Sequence, residues 1–400
     1  MQPAHSRHLV VAALLVLVQA SGVATPGHGP GVHPPGPASF DAVTFDPLVL
    51  DGIHRGAYPG AAVVIGRRDT ILFAKGYGHL TWSAQGPAAD PDSTLWDLAS
   101  LTKVIATTTA LMLLVERGRV DLDAPVARYV PEFNGPGTPA VTVRHLLTHT
   151  SGLRAWLPLN RLARDSAAAM RIVFEQTPRA SPGSRMEYSD FNAILLGEIV
   201  RRTGGVPLDV FAAREIFAPL GLRQMMFRPS RRLVARLAPT GVWRGQPVAG
   251  VVNDQNAAIL GGVAGHAGLF STAADLARFA QFMLGQGALR NGPRLLKAET
   301  VRTFTAIAVP ARRGSSARTL GWEALPTGEE VSSAGTLLGS RSYGHTGWTG
   351  TSLWIDPDRG LFVVLLTNRA YAPRSRTSFT VLKEVRGRVA DAAARALDER

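Results

Sequence analysis

The amino-acid sequence predicts an α+β fold in which strands from both ends of the chain form one antiparallel sheet, flanked by helices, with a mostly helical lobe inserted from the middle. Three observations lead to this prediction. Hairpin patterns lie near residues 61–75 and 351–367, helical patterns fill much of the region between them, and a further helical pattern follows the second hairpin. Clefts form where two such parts meet, so we expect the chemistry of this protein at their junction.

The two hairpins have different turn chemistry. In the first, the short β-rich runs 61–65 and 70–75 flank the polar turn GRRD. In the second, the runs 351–355 and 361–367 flank DPDRG, in which proline and glycine are both strong turn formers. Each pair is therefore expected to form two adjacent antiparallel strands.

Helices are predicted from apolar spacing and from glycines that follow their last turn. The predicted helices are 100–117 before Gly118, 143–149, 192–203 before Gly204, 272–284 before Gly285, and a closing helix at 377–398. Thr272 and Asp275 have the spacing of a capping box at the start of the fourth helix.

The first 40 residues differ in composition from the rest. Arg7 and His8 precede an apolar run too short to span a bilayer, and small residues follow it, which is typical of a cleaved secretory signal. We therefore expect a periplasmic or secreted protein. The predicted divisions are a signal peptide at 1–24, a Pro/Gly-rich tether at 25–39 and a domain at 40–395, with its helical lobe at roughly 95–310 and its sheet lobe at roughly 40–95 and 315–395.

Composition excludes several classes of function. The absence of cysteine excludes disulfides, thiolate metal sites, a cysteine nucleophile and a lipid-modified N-terminal cysteine. The formal net charge is +13, but the arginines are scattered without a basic run, so we predict no nucleic-acid partner. No second apolar segment is long enough for a transmembrane anchor, and the oligomeric state is left open.

A candidate nucleophile lies in the stretch WDLASLTKVIA, which contains Ser100 and Lys103. Lysine is rare here, with four residues among 43 Lys and Arg. On a helix, positions i and i+3 share a face, so the Ser100 hydroxyl and the Lys103 amine can hydrogen-bond. A lysine desolvated between two lobes can have its pKa depressed toward neutrality and act as the base for serine. The backbone N–H of Ser100 is also a natural oxyanion donor.

Two further stretches accompany this pair. MEYSDFNAILLGEIV places Tyr188 in a polar loop before a helix, and YGHTGWTGT runs into the first strand of the second hairpin. Together with SLTK they resemble, in order and spacing, the three signature elements of the serine β-lactamase and penicillin-binding protein superfamily, and most of all its class C-like esterases and D-alanyl peptidases. The resemblance covers about residues 40–395 and extends to VRHLLTHTSGL and GVAGHAGLFST. It implies a β-lactamase/transpeptidase-like fold.

The resemblance also assigns roles. Ser100 matches the acylated nucleophile, Lys103 its proton acceptor, and Tyr188 the tyrosine that passes protons between nucleophile, leaving group and water. The Lys-Thr-Gly triplet of the family is matched by His345, Thr346 and Gly347. The N–H of the next residue, Trp348, would be the second oxyanion donor. The glycine is understandable because an extended substrate must lie along that strand edge.

Three positions depart from the β-lactamase pattern. Asp190 stands where an amide would donate to a substrate carbonyl, and an ionised carboxylate can only accept, although it could hold Lys103 or Tyr188 in place. His345 replaces a permanently charged lysine by a group that titrates near neutrality. If it must be protonated to hold a substrate carboxylate, kcat/KM should fall above a pKa of about 6 to 7 for acidic substrates but not for neutral esters; the alternative is a structural hydrogen-bonding role. Trp348 adds apolar bulk at the cleft mouth.

No cofactor or metal is predicted. His145 and His149 have the spacing of a zinc motif, but Leu146 stands where the general-base glutamate is needed, so we interpret the two histidines as a packed, hydrogen-bonded pair. The glycine-rich stretch GVAGHAG lacks the rest of a phosphate loop and is interpreted as a close-packed loop, with His266 on the cleft rim.

These observations favour an exported serine hydrolase that forms an acyl-enzyme on Ser100 and acts on ester or small amide substrates. The second hypothesis is a D-Ala-D-Ala carboxypeptidase or endopeptidase acting on cell-wall peptides, and the third is a true β-lactamase. A catalytically silent wall-binding protein is the alternative from another class.

Overall fold

The computed structural model describes residues 41–289, 291–292, 294–312, 316–326 and 332–399. The predicted signal peptide and Pro/Gly-rich tether lie outside these residues. Within the described part of the chain, no helix is both long and apolar enough to cross a bilayer.

The central feature is a seven-stranded antiparallel sheet with strand order β2-β1-β12-β11-β10-β9-β8, so strands from both ends of the chain are neighbours. Two smaller sheets are β3-β7-β4 and β5-β6. The strands are β1 Gly60–Arg67, β2 Thr70–Gly78, β3 Trp96–Asp97, β4 Met226–Phe227, β5 Gly241–Trp243, β6 Gln246–Val248, β7 Leu269–Ser271, β8 Ser316–Arg318, β9 Glu323–Pro326, β10 Tyr343–Thr346, β11 Ser352–Asp356 and β12 Leu361–Thr367. This arrangement confirms the predicted fold class and both hairpins.

Twelve α-helices surround the sheet and fill the central part of the described chain. They are α1 Ala42–His54, α2 Thr109–Glu116, α3 Val143–Leu147, α4 Leu159–Leu162, α5 Ser166–Phe174, α6 Asp190–Gly204, α7 Leu208–Ala212, α8 Ala218–Leu220, α9 Gln255–Ile259, α10 Ala273–Leu284, α11 Ala298–Thr305 and α12 Ser378–Asp398. Short 3₁₀ segments are Val126–Arg128, Thr138–Ala140 and Arg231–Arg236, and π-helical segments are Lys103–Thr108 and Ala213–Phe217.

The predicted helix after Ser100 is present, but its first part is wider than an α-helix. Lys103–Thr108 is π-helical and continues into α2, and the chain then leaves the helix at Gly118 with φ of 68°. The Thr108 hydroxyl donates to the carbonyl of Lys103 at 2.8 Å and so adds a side-chain bond to the wider turn. Such bulges are frequent at functional sites, and this one carries the candidate catalytic lysine.

The start of α10 corrects one prediction. The Thr272 side chain accepts from the N–H of Asp275, as in a capping box. The Asp275 carboxylate, however, does not return to Thr272 but accepts from the N–H of Gln224 at 2.6 Å. The Thr272 half of the predicted capping box is therefore present, whereas the Asp275 carboxylate binds a distant segment of the chain, which local sequence spacing could not predict.

The sheet is buried on both faces, which explains why its central strands read as continuous apolar runs. Along β1, Ala62 and Val64 face one core cluster with α10, whereas Val63 and Ile65 face a second core cluster with α1 and α12. The first cluster continues into the helical region. The active-site region lies where that region meets β10 and β11.

Candidate active site

The turn before Ser100 is held by a buried carboxylate. Asp97, at the end of β3, accepts from the N–H of Ala99 at 2.9 Å and from the N–H of Asn253 at 2.7 Å. Ala99 has φ of 46°, a left-handed conformation that costs a residue with a side chain free energy. The Asp97 bonds compensate for that strain, and the turn places Ser100 at the entrance of the helix.

Lys103 contacts Ser100 as the sequence predicted, but its protonation state differs from the prediction. Its side chain is 4% exposed, and Nζ lies 2.9 Å from Ser100 Oγ, 2.8 Å from Asp190 Oδ1 and 3.1 Å from the carbonyl of His266. Burial acts to lower the pKa of Lys103, but the Asp190 charge and the Tyr188 hydroxyl outweigh it and raise the pKa above its ordinary value. The expected depressed pKa is therefore wrong, because three acceptors hold an ammonium here.

Tyr188 lies at the centre of the site, between two histidines. The centroid of its ring is 4.7 Å from that of His149 and 5.9 Å from that of His345. Two cations also approach the ring: Lys103 Nζ lies 5.1 Å and Arg318 Cζ 5.5 Å from its centroid. The predicted residues Ser100, Lys103, Tyr188 and Asp190 are thus brought together.

His149 supports the loop that carries Tyr188. Its Nδ1 accepts from the N–H of Ser189 at 3.2 Å and lies 3.2 Å from the amide nitrogen of Asn192. Burial, followed by the charges of Arg318 and Lys103, holds the pKa of His149 well below its ordinary value, so the ring is neutral. His145 closes a capping box with Thr142 at the start of α3, so both histidines are hydrogen-bonded as interpreted, each to its own partners.

His345 is buried and uncharged. Its Nδ1 lies 2.8 Å from the carbonyl of Thr346, which can only accept, so Nδ1 carries the proton. Burial, then the charges of Arg318 and Lys103, lowers the pKa of His345 to about 3. The predicted pH dependence near 6 to 7 is therefore wrong: His345 has no charge to lose in that range and cannot be the cation that holds a substrate carboxylate.

The segment after β10 forms a tight turn against the nucleophile segment. The hydroxyls of Thr349 and Thr351 donate to the carbonyls of Asp97 at 2.6 Å and Leu98 at 2.9 Å. A side chain on Gly347 would collide with the Thr351 hydroxyl and the Leu98 carbonyl, so glycine is required at this close approach.

This turn leaves two backbone donors available. Among the hydrogen bonds of the described residues, none uses the N–H of Ser100 or of Trp348. The two hydroxyl bonds fix the segments that carry them relative to each other. The geometry suits an oxyanion hole that binds one carbonyl oxygen of a substrate between two N–H groups.

Arg318 was not identified from the sequence. It lies on β8, is 7% exposed, and its Nε and Nη1 atoms are buried without a hydrogen-bond partner. One arginine among the many scattered in this chain carries no local signal, and only the sheet order brings it beside Tyr188 and His345. Arg318 is a buried cation with free donors at the catalytic centre.

Asp254 and His266 form another pair that the motifs did not reveal. His266 Nε2 lies 2.9 Å from Asp254 Oδ1, and its ring is buried rather than on the cleft rim as predicted. Burial raises the pKa of Asp254, but His266 and the Ala257 N–H outweigh it and hold the pKa well below its usual range. Donor atoms of Asp190, Asp254 and His266 are close enough to hold a metal ion. The Lys103 ammonium already bonds to Asp190 at this place, so a second cation would be repelled.

Trp348 lies at the mouth of the cleft with its side chain 62% exposed. The Arg369 guanidinium lies over it, with Cζ 4.8 Å from the ring centroid. Cζ is also 5.2 Å from the ring centroid of Phe379, and the two aromatic rings are 5.9 Å apart. The predicted apolar bulk is thus an aromatic shelf beside the oxyanion donor, held by Arg369 and Phe379.

Comparison with known proteins gives one consistent family. The Beta-lactamase family model matches residues 45–385. A protein of Escherichia coli K12 named "Putative D-alanyl-D-alanine carboxypeptidase" is 31% identical over 350 residues, covering 79% of this chain and 80% of that protein. A protein of the same name from Salmonella agona is 31% identical over 380 residues, covering 84% and 86%.

Solved structures with the same fold have lower sequence identity. The hydrolase EstCE1, described as having promiscuous acyltransferase activity, superposes with a TM-score of 0.71 at 22% identity, covering 88% of this chain and 98% of its own. A class C β-lactamase from Rhodobacter sphaeroides gives a TM-score of 0.70 at 22% identity, covering 89% of this chain and 100% of its own. These likenesses concern the fold.

Proposed function

Because this chain belongs to the β-lactamase family and is a serine hydrolase, we propose that it acts as a D-alanyl-D-alanine carboxypeptidase through an acyl-enzyme on Ser100. The observation that carries this proposal is Arg318, a buried cation with unpaired donors beside Tyr188. A peptide that ends in D-Ala presents a carboxylate one residue beyond the bond to be cleaved. The Arg318 guanidinium can bind such a carboxylate by a charge-assisted hydrogen bond from one of these free donors.

The names of the relatives support the same substrate. Each of the two relatives described above carries the name "Putative D-alanyl-D-alanine carboxypeptidase", and each matches more than three quarters of this chain. Arg318 forms no ion pair with a carboxylate of the described residues, so the carboxylate of an anionic substrate would find an uncompensated cation beside Tyr188.

The reaction proceeds in two balanced steps. Ser100 Oγ attacks the carbonyl carbon of the penultimate D-Ala, and the N–H groups of Ser100 and Trp348 hold the oxygen that becomes negative. The C–N bond then breaks, and free D-Ala leaves with a proton on its amine. Water next attacks the ester on Ser100, which releases the shortened peptide as an acid and restores the serine hydroxyl.

Tyr188 carries the proton in this scheme. Lys103 donates to three acceptors and has a raised pKa, so it holds and orients the Ser100 oxygen as an ammonium. Tyr188 is the remaining group beside that ammonium that can take the serine proton and return it to the leaving amine. For this role Tyr188 enters the step as a phenolate, whose negative charge the Lys103 ammonium stabilises. Uptake of the serine proton converts it to the neutral phenol, and donation of that proton to the leaving amine restores the phenolate.

Ester hydrolysis is the second candidate. The exposed Trp348 shelf offers an apolar surface beside the oxyanion donors, and the neutral His345 removes the cation expected on β10. Both features suit an uncharged acyl or alcohol group. A small ester needs no partner for Arg318, so we rank this activity below carboxypeptidase activity.

Mass spectrometry after exposure to fluorescent penicillin or a fluorophosphonate tests the acyl-enzyme. We expect one adduct on Ser100 that is absent from Ser100→Ala. A folded protein without any adduct, and without turnover of any substrate, would instead support the silent wall-binding alternative.

A substrate panel tests the specificity. It compares a D-Ala-D-Ala peptide, the same peptide with a C-terminal amide, a p-nitrophenyl ester and a chromogenic cephalosporin. We expect the free-acid peptide to be cleaved with the highest kcat/KM, and Arg318→Gln to raise KM for that peptide at least tenfold while leaving the ester within about threefold. Equal turnover of acid and amide peptides would contradict a carboxylate site at Arg318.

Export to the periplasm or the medium is part of the proposal. It rests on the signal-like composition of residues 1–24. Cell fractionation of the full-length chain, with and without those residues, tests it: the full chain should be recovered outside the cytoplasm in a shortened form.

A further inference from the structure

Arg386 is a buried cation that forms no ion pair with a carboxylate of the described residues, although the charge of Glu323 acts on it from beyond ion-pair distance. It lies on α12 and is 3% exposed. Burial, followed by the nearby charge of Arg369, lowers the pKa of Arg386 to about 9. Its Nε atom has no hydrogen-bond partner. A buried charge without an ion-pair partner is costly, so its contacts are the place to look for what it does.

The contacts of Arg386 are two carbonyls of the turn after β10. Its Nη2 donates to the carbonyl of Thr351 at 2.8 Å and lies 3.3 Å from the carbonyl of Gly347. The Gly347 carbonyl and the Trp348 N–H belong to one planar peptide group. Arg386 therefore binds the carbonyl of the same peptide group whose N–H is the second oxyanion donor.

The next peptide has the same arrangement. The Arg369 guanidinium donates to the carbonyl of Trp348 from Nη2 at 2.6 Å and from Nε at 3.2 Å. Two guanidinium groups thus lie behind successive peptides of the oxyanion turn. Arg369 also lies over the exposed Trp348 ring, whereas the hydrogen bonds that Arg386 forms with described residues all go to the backbone of this turn.

Hydrogen bonds in series polarise one another, and a charged donor strengthens the effect. A cation on the Gly347 carbonyl makes the N–H of Trp348 a stronger donor. Its field also favours the negative charge that develops on the substrate oxygen during attack by Ser100. Because the bound substrate is neutral at that oxygen and the transition state is not, such a charge accelerates the reaction without tightening substrate binding.

We propose that Arg386 is a positioning residue that acts through the Gly347–Trp348 peptide to strengthen the oxyanion hole. The proposal rests on the proposed function, since it requires an acyl-transfer reaction at Ser100. It assigns a catalytic effect to the closing helix, which carries none of the signature motifs.

Four variants separate this role from a merely structural one. Arg386→Gln keeps a donor for the carbonyls but removes the charge, Arg386→Lys keeps the charge, and Arg386→Met removes both. Val389→Ala is the matched control, because it truncates a fully buried side chain one turn further along the same helix and away from the oxyanion turn.

The measurements are kcat and KM for the p-nitrophenyl ester, and the inhibition constants of an aryl boronic acid and of a non-hydrolysable substrate amide. Direct loss of one oxyanion donor costs about 10²- to 10³-fold in kcat. An effect transmitted through one peptide should be smaller, so we expect Arg386→Gln and Arg386→Met to lose about 10- to 50-fold in kcat with KM within about twofold. Boronic acid binding should weaken by a similar factor and amide binding should not.

Arg386→Lys should recover part of the kcat that Arg386→Met loses. Val389→Ala should lower Tm without changing kcat, KM or the two inhibition constants. If Arg386→Gln retains the kcat of the wild type, or if its loss appears equally in KM, the proposal is wrong. Failure of this proposal can be distinguished from failure of the proposed function, because adduct formation on Ser100 of the wild type tests the acyl-enzyme separately.

Discussion

At the scale of single residues, Lys103 determines how the nucleophile works. An ammonium held by Asp190, the His266 carbonyl and Ser100 orients the serine oxygen, and the field of Asp190 keeps the proton on the amine. The aspartate that departs from the β-lactamase pattern is thus part of the machinery. Asp190 cannot donate a hydrogen bond to a substrate carbonyl, but its charge keeps Lys103 protonated.

Asp190→Asn tests this role. The amide keeps the shape but removes the charge, so burial should dominate and lower the pKa of Lys103. An ammonium is present only below its pKa, so kcat/KM should acquire a limb that falls as the pH rises through neutrality. Loss of one partner of a buried ion pair should cost about 3 kcal/mol of stability.

The control for this experiment is Glu187→Gln, which removes a nearby carboxylate whose partner is Arg185 rather than Lys103. Its pH profile should match that of the wild type. If Asp190→Asn also keeps the wild-type profile, Asp190 does not set the charge of Lys103. The profile is measured with the p-nitrophenyl ester over a range in which the protein stays folded.

Motif spacing could predict which residues meet, but not their charge. Ser100 and Lys103 are neighbours on a helix, so local geometry was sufficient. The burial of His345 and the approach of Arg318 depend on sheet order and packing across long sequence distances. That is why the titrating anchor predicted at His345 was wrong and the cation at Arg318 was missed.

At the scale of elements, the loop at 262–268 explains how the Lys103 site is built. Gly265 lies against the backbone of α6, and a side chain there would collide with the carbonyl of Ala193 and the backbone of Gly197. The Gly265 carbonyl also accepts from the Thr107 hydroxyl at 2.7 Å, so the loop joins α6 to the π-helical segment. The next residue supplies the carbonyl that binds Lys103.

Gly265→Ala should therefore affect stability and catalysis together. Overpacking of a filled core costs about 1 to 3 kcal/mol, and here the new methyl group would push the His266 carbonyl away from Lys103. We expect a lower midpoint in urea and a kcat reduced at least fivefold, measured at a temperature at which the variant is folded.

Gly205→Ala is the comparison for stability alone, since nothing lies near that glycine and only its φ of 76° is strained. It should lose stability and keep kcat. A Gly265→Ala variant with normal kcat would show that the loop does not position the His266 carbonyl.

Element length decides only part of what was predictable, since α1 has 13 residues and was not predicted, whereas the five-residue α3 was. Apolar periodicity identified both hairpins, α6, α10 and α12 within a few residues. Two-residue strands such as β3 and β4 have no periodicity to detect, and the π-helical turn at Lys103 depends on the Thr108 hydroxyl and on packing. The site uses these short elements, so its detailed geometry required the structure.

At the scale of the whole molecule, buried titrating groups set the response to acid. The pKa of His345 is lowered to about 3 and that of His149 is also well below its ordinary value. Unfolded histidines take up protons near pH 6.5, so each stabilises the fold above that pH and loses this contribution as the pH falls toward its folded pKa. Each contributes about 1.4 kcal/mol per pH unit in that window.

Asp97 acts in the opposite direction. Burial raises its pKa to about 6, above the unfolded value, so the native state binds this proton first. Between about pH 6 and 4, the stability gained by protonating Asp97 offsets the stability lost through one of the two histidines. A net loss of about 1.4 kcal/mol per pH unit therefore remains from these three groups.

His345→Gln should reduce this acid sensitivity. Between pH 6.5 and 5 the wild type should lose about 2 kcal/mol more unfolding free energy than the variant, because the variant has one buried histidine fewer. Urea unfolding at both pH values measures the difference, and ionic strength is held constant. Parallel losses in the two proteins would mean that His345 is protonated in the native state.

Two hydrogen bonds between distant parts of the chain determine when the active site can form during folding. The threonine hydroxyls that join the oxyanion turn to the nucleophile segment cross more than 250 residues of sequence, since Thr349 binds Asp97 and Thr351 binds Leu98. A growing or refolding chain can form the helix of Ser100 long before β10 and β11 exist. Hydrolytic activity should therefore appear last during folding, after the spectroscopic signals of helix formation. An incomplete chain would contain Ser100 but would not hydrolyse the esters and peptides around it, because the oxyanion turn would be absent.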